Sequence, residues 1–226
     1  MTPRATAAAT PPDAPDDTSA RPRARKGEGD RTRAEILEAA EELLMRSGSE
    51  DAVSIRAVAD QVGLTPPAIY RHFPDKAHLI FEVCSRRFDV LDEHVVQPML
   101  RAAEDPVAAL RALAEGYVRF GVEHPEHYRI MFMGHADHTP ELYADERILE
   151  TGSFGAVVPV VQAGIDQGLL RDDVGDALLV TWTLWAALHG LVAVAVAKPN
   201  MPGPPFDAQL AAMVDVLLRG IVRPAT

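Results

Sequence analysis

From Arg31 onward, hydrophobic residues recur at close to helical spacing along most of the chain, and the polar positions between the runs mark where helices end. Ile36, Leu37, Ala40, Leu43 and Leu44 share one face, Glu35, Glu38, Glu41 and Glu42 lie elsewhere, and Gly48 stops the run as a left-handed C-cap. Ser54 caps a short second helix that carries Ile55, Val58, Ala59 and Val62 at i, i+3, i+4 and i+7. Gly63 follows at once, where a tight turn needs positive φ. Leu64 packs inward, Thr65 caps a third helix, and Pro66 holds its first position, where a missing N–H costs nothing. Ile69 and Phe73 return to the core; Pro74 ends the helix and Asp75 caps the next. Residues 54–73 therefore predict a short helix, a glycine turn and a second short helix, with the first helix laid across them. Such a unit can place the N-terminal half of its last helix in a major groove about 12 Å wide.

The rest of the chain also predicts helices. Residues 76–103 read as one long helix with a stripe of Ile80, Val83, Cys84, Phe88, Leu91 and Val95. Asp105-Pro106 and His124-Pro125 start two more, residues 135–142 read as a loop, and Ala144 to Gly168 as a helix with Pro159 placed to kink it. Residues 177–197 hold no Asp, Glu, Lys or Arg. A run of that length can span a bilayer, but Thr181, Thr183, His189 and Gly190 interrupt it and no second span exists, so a core helix that also faces a partner is expected. The last helix is expected over Asp207–Arg219, after a loop rich in Pro and Gly at 199–205. The fold class is all-α, with about nine helices and three parts: a tail at 1–30, a helix-turn-helix domain at 31–75, and a sensing and dimerisation domain at 76–226.

Charge sharpens the division. The net charge of −11 argues against a nucleic-acid partner until it is located. Residues 21–87 carry 12 Lys and Arg against 11 Asp and Glu, whereas residues 88–226 carry 9 against 19, so only the N-terminal third can face phosphate. The tail lacks apolar periodicity and is expected to be disordered; its basic run of Arg21, Arg23, Arg25 and Lys26 reads as a solvated linker or as an arm for the minor groove. It has no apolar signal-peptide region, and a single cysteine, Cys84, excludes an intramolecular disulfide; both fit a cytoplasmic protein. No Gly-x-Ser-x-Gly, phosphate loop or Cys–His pair supports an enzyme. His124, His127, His135 and His138 cluster in sequence, but with Asp137 as the neighbouring carboxylate and no cysteine near they read as loop and cap histidines, and no metal or cofactor is expected.

The stretch Arg31–Ala40, then Ser54 through Thr65, then Ala68-Ile-Tyr-Arg-His-Phe-Pro-Asp-Lys76 and Leu79, resembles the TetR family of repressors over about fifty residues in register. One departure is Pro66, where many members carry Lys or Arg. Trp185-Ala-Ala-Leu-His-Gly190 is similar to the Trp-x-x-x-His-Gly signature of one class of C-terminal domain in that family. The resemblance implies DNA contacts from Thr65, Pro66, Pro67, Ala68, Tyr70, Arg71 and His72, a phosphate contact from Lys76 at the start of the linking helix, and lesser backbone contacts from Ser54 and Arg56. It also implies a four-helix dimer seam from the last two helices of each protomer and a pocket in the C-terminal domain. Tyr117, Phe120, Met131, Phe132, Phe154, Trp182, Trp185 and His189 are the candidates to line that pocket, although Met and aromatic residues at helical spacing serve equally as plain core. The expected function is a sequence-specific homodimeric repressor, released from a palindromic operator on double-stranded DNA by a small apolar or amphipathic effector, with no membrane partner. The alternatives are a helical protein that binds small molecules or metal without touching DNA, and an enzyme.

Overall fold

The computed structural model describes residues 28–132 and 152–224. Among them are nine helices and no strand. The first, α1 (Glu28–Ser47), begins three residues before Arg31, with Glu28 and Asp30 in its first turn and Arg46 in its last, each favourable to the helix dipole. A 3₁₀ turn at Glu50–Ala52 leads into α2 (Ile55–Val62), whose cap is the expected one: Ser54 Oγ accepts from the Ala57 N–H at 3.1 Å. Gly63 ends α2 at φ 68°, where a side chain would be strained. Next come α3 (Pro66–Tyr70), a turn, and α4, which Asp75 caps through the His78 N–H at 2.9 Å.

α4 is the long helix expected over 76–103. It runs as Lys76–Leu91, then a π-helical turn at Asp92–Val96, then Gln97–Ala102. The π turn carries Val95 against α5 (Pro106–Glu123) at Gly116, where an added Cβ would lie 2.7 Å from the valine Cγ1. Asp105 caps α5 as expected, accepting from the Ala108 N–H at 2.8 Å. α6 is Pro125–Phe132, α7 Gly152–Asp166, α8 Ala177–Ala197 and α9 Phe206–Ile221. Pro159 sits inside α7 without ending it. The tail up to residue 27, the loop expected at 135–142, the start of the helix expected from Ala144, and His135, Asp137 and His138 lie outside the described residues.

Two large cores and one small one hold these helices. The N-terminal core gathers Ile36 and Leu44 from α1, Val58 from α2, Ile69 from α3, Phe73, and Leu79, Ile80 and Val83 from α4. A boundary at residue 75 therefore cuts through a shared core, because the first half of α4 belongs to the head it carries. Ile130 of α6 joins this same core from the other side. The C-terminal core is centred on α8, which packs against α5 and α7. Gly121 of α5 allows the closest approach: a Cβ there would lie 2.5 Å from Val192 Cγ1. An antiparallel bridge between Leu170 and Val222 ties the α7–α8 connection to the end of α9. The small core lies between α4 and α5, around Leu91, Val95 and Phe120.

α8 is the one helix among the described residues that is long and apolar enough to cross a membrane. In this fold it is the central helix of the bundle, and one face stays uncovered. Leu179, Val194 and Val216 of α8 and α9 are exposed, with the small residues Ala186, Gly190, Ala211, Ala212 and Gly220 among them.

Candidate DNA-binding surface and effector site

α3 packs against α2 and is seated by Ile69, which is fully buried in the N-terminal core; Ala68 is buried beside it. Ala68, one of the expected DNA contacts, is only 7% exposed and presents little side chain on the outward face. The outward face is made by Thr65, Pro67, Tyr70 and Arg71, all exposed, with Pro66 and His72 half-buried beside them. Thr65 holds the N-cap position, but its side chain makes no capping bond. The reason is the double proline: the cap's usual partners are the second and third N–H groups of the helix, Pro67 has none, and the Ala68 N–H donates to the Thr65 carbonyl at 2.8 Å. The Thr65 hydroxyl is left free, and the start of α3 offers proline rings in place of N–H donors. The side chains of Arg56, at the start of α2, and of Arg71 make no hydrogen bond or ion pair to any described residue.

Lys76 is placed differently from the expected phosphate contact. Its Nζ donates to the Glu50 carbonyl at 2.5 Å, tying the start of α4 to the 3₁₀ turn. The N-terminus of α4 is also occupied by the Asp75 carboxylate, which the His78 backbone N–H and ring hold below the usual carboxylate range. An anion arriving there meets a negative charge already bonded. Ser54 is exposed, but its hydroxyl is committed to the Ala57 cap.

In the C-terminal domain five helices bring rings together. α8 contributes Trp182, Trp185 and His189 at i, i+3 and i+7, which places them on one face. Phe154 of α7 meets Trp182 at 5.3 Å between ring centroids, and Trp182 meets Trp185 at 5.1 Å, nearly perpendicular. Phe132 of α6 stands 4.9 Å from His189 and 5.3 Å from Phe88 of α4, edge to face in both pairs. At the inner end His189 Nδ1 lies 2.9 Å from the Tyr128 hydroxyl and 3.2 Å from that of Tyr117, and the Tyr128 hydroxyl donates to the His189 carbonyl at 3.1 Å. Burial depresses the His189 pKa, so its imidazole is neutral at pH 7, and burial raises both tyrosine pKa values, keeping the hydroxyls protonated.

Six of the eight expected pocket residues thus form one cluster. Phe120 does not join it: it turns toward α4 and lies tilted against the His124 ring at 5.1 Å, and Met131 packs in that same small core. Tyr128 and Phe88 do join it and were not anticipated. The signal for Tyr128 was its place four residues before Phe132 on a short helix, which puts both rings on one face.

α6 connects this cluster to the head. Tyr128 and Phe132 face the rings, whereas Ile130 enters the head core, and the Cys84 thiol donates to its carbonyl at 3.3 Å. Burial pushes the Cys84 pKa up to about 12, so the group is an inert thiol. Nearby, the half-hidden pair Arg87–Glu41, at 2.9 Å, ties α4 to α1. Among the described residues no group of three or more His, Cys, Asp and Glu could hold a metal ion.

Residues 36–83 match the domain described as bacterial regulatory proteins, tetR family, and residues 110–219 match the tetracyclin repressor-like C-terminal domain. The chain belongs to the TetR family. As a member it is a DNA-binding transcriptional regulator. Relatives include the HTH-type transcriptional activator FasR of Mycolicibacterium smegmatis, 29% identical over 140 residues, with the match covering 62% of each chain. The chain therefore spans less than two thirds of FasR. The HTH-type transcriptional repressor NicS of Pseudomonas putida is 28% identical over 156 residues, 66% of this chain and 71% of NicS. A solved protein of unknown function from Rhodococcus sp. RHA1 is 26% identical, with a TM-score of 0.67 over 88% of this chain and 98% of that one.

Proposed function

We propose that this TetR-family regulator is a cytoplasmic, non-enzymatic repressor that holds a palindromic operator as a homodimer and lets go when an apolar or amphipathic small molecule enters the cluster around His189. The observation that carries the DNA half is the outward face of α3, where Thr65, Tyr70 and Arg71 hold polar groups unspent within the described chain, on a helix seated by Ile69. Arg71 reads base edges, and Thr65, Tyr70, His72 and Arg56 take phosphates. Pro66 and Pro67 offer apolar surface, and Lys76 acts mainly by fixing the start of α4.

The sensing half rests on α6 and α4. Phe132 touches Phe88, and Ile130 of the same two-turn helix sits in the head core, so a ligand that parts the rings moves both helices on which the head rests. In a dimer the two α3 helices must lie one DNA turn apart, about 34–36 Å, and a tilt of α4 alters that spacing. The ligand acts only as far as it prefers the tilted state. The uncovered face of α8 and α9 supports the pairing of protomers.

Selection of duplexes from a random pool is expected to yield a palindrome whose affinity falls steeply with salt. Arg71→Ala is expected to cost about 1–3 kcal/mol against that palindrome and little against random DNA. Equal affinity for selected and random duplexes, read by fluorescence anisotropy across salts, would sink the repressor reading.

A further inference from the structure

We propose that the cluster around His189 takes a flat, uncharged ring compound bearing a hydroxyl or carbonyl at its inner end, in preference to a flexible chain or an ion. This rests on reading the cluster as the effector site and adds the chemical class of the effector.

The rings form a series from surface to interior. Trp182 is 41% exposed, Trp185 and His189 are half-buried, and Tyr128 is 1% exposed. Each ring has a neighbour at a centroid distance of about 4.5–7 Å, the range in which tilted and edge-to-face pairs attract beyond mere burial. The rings pack against one another, so a ligand that enters between them parts them. An alkyl chain replaces the lost contact area but not the edge-to-face attraction, and it gives up rotational freedom on binding. A flat ring restores both contact and attraction and has no rotamers to lose. Aromatic geometry therefore discriminates by shape as well as by apolarity.

The inner end sets the polar group. Tyr117, Tyr128 and His189 place two hydroxyls and an imidazole within one another's hydrogen-bond reach, and the burial that keeps all three neutral applies equally to whatever joins them. Among the described residues, none of the rings in the series has an Asp, Glu, Lys or Arg in its polar contacts. A carboxylate or ammonium would find no counter-charge among those partners, at a cost a hydroxyl or carbonyl avoids by bonding to the triad.

The test is isothermal titration calorimetry on the full chain with naphthol, naphthalene, decanol and decanoate. Naphthol is expected to bind tightest, by about tenfold over naphthalene, the ratio that one well-made buried hydrogen bond supplies. Tyr117→Phe, which keeps the ring, and His189→Phe are each expected to bring naphthol's affinity to within about twofold of naphthalene's for that same variant, with circular dichroism confirming that each variant is folded. Tighter binding of decanol or decanoate, a naphthol advantage that survives both variants, or no binding of either ring compound up to its solubility would each overturn the proposal. Release of DNA is measured in the same samples. Naphthol that binds as expected without releasing DNA would overturn the repressor reading and leave the ligand class standing. Release by a compound indifferent to Tyr117 and His189 would do the reverse.

Discussion

Phe73→Ala is expected to lower stability by about 3–5 kcal/mol, the cost of emptying a fully packed aromatic site, and to abolish operator binding with it. Phe73 is buried at the turn that closes α3, where its N–H donates to the Ile69 carbonyl at 3.0 Å. The Arg33 guanidinium lies over its ring at 4.9 Å and pairs with Glu82 of α4. One ring thus supports α3 from behind and links α1 to α4. Phe73→Leu, which keeps most of the volume, is expected to cost less than about 1.5 kcal/mol. Urea denaturation followed by circular dichroism measures both. A loss below about 1 kcal/mol for the alanine variant would show that the head does not depend on this ring.

Two valines two residues apart, on nearly opposite faces of α8, separate folding from pairing. Val194 is 51% exposed on the uncovered face of α8, and Val192 is fully buried against Gly121. Val194→Glu is expected to leave the helical signal intact and convert the dimer to a monomer in sedimentation at micromolar concentration, because two added charges would meet across a dry seam. Val192→Glu is expected to unfold the protomer, since a charge buried without a partner costs several kcal/mol. A dimer that survives Val194→Glu would place the seam elsewhere.

These valines also show where the sequence stops being informative. α8 was legible to the residue, Ala177–Ala197, because its boundaries are charges and its cap is Asp176. Its orientation was not, because a helix apolar on all sides carries no directional signal. The capped starts at Ser54, Asp75 and Asp105 and the turn at Gly63 were legible for the opposite reason: each is a local chemical demand met by a neighbouring residue. The candidate sites fared less evenly. Tyr70 and Arg71 face outward as the periodicity requires, but Ala68 is small enough to suit either side of α3. Lys76 is captured by a carbonyl 26 residues away, a long-range event that no local pattern announces. Phe120 and Phe132 looked alike as apolar positions, and only the packing of α4 against α5 and α6 assigned them to different cores.

The π turn in α4 bears on how relatives should be aligned. Each residue of an α-helix turns the chain by about 100°, and a π turn accommodates one residue more than its α counterpart over the same stretch of axis. Two homologues that differ in length by one residue between Leu91 and Gln97 can therefore share every helix before and after that point, the shorter one simply running straight through. A gap placed anywhere else in α4 would assign core residues to solvent along half the helix. Position 95 marks the spot: a Cβ at Gly116 would lie 2.7 Å from Val95 Cγ1, so chains that keep the extra residue are expected to keep a small residue opposite it.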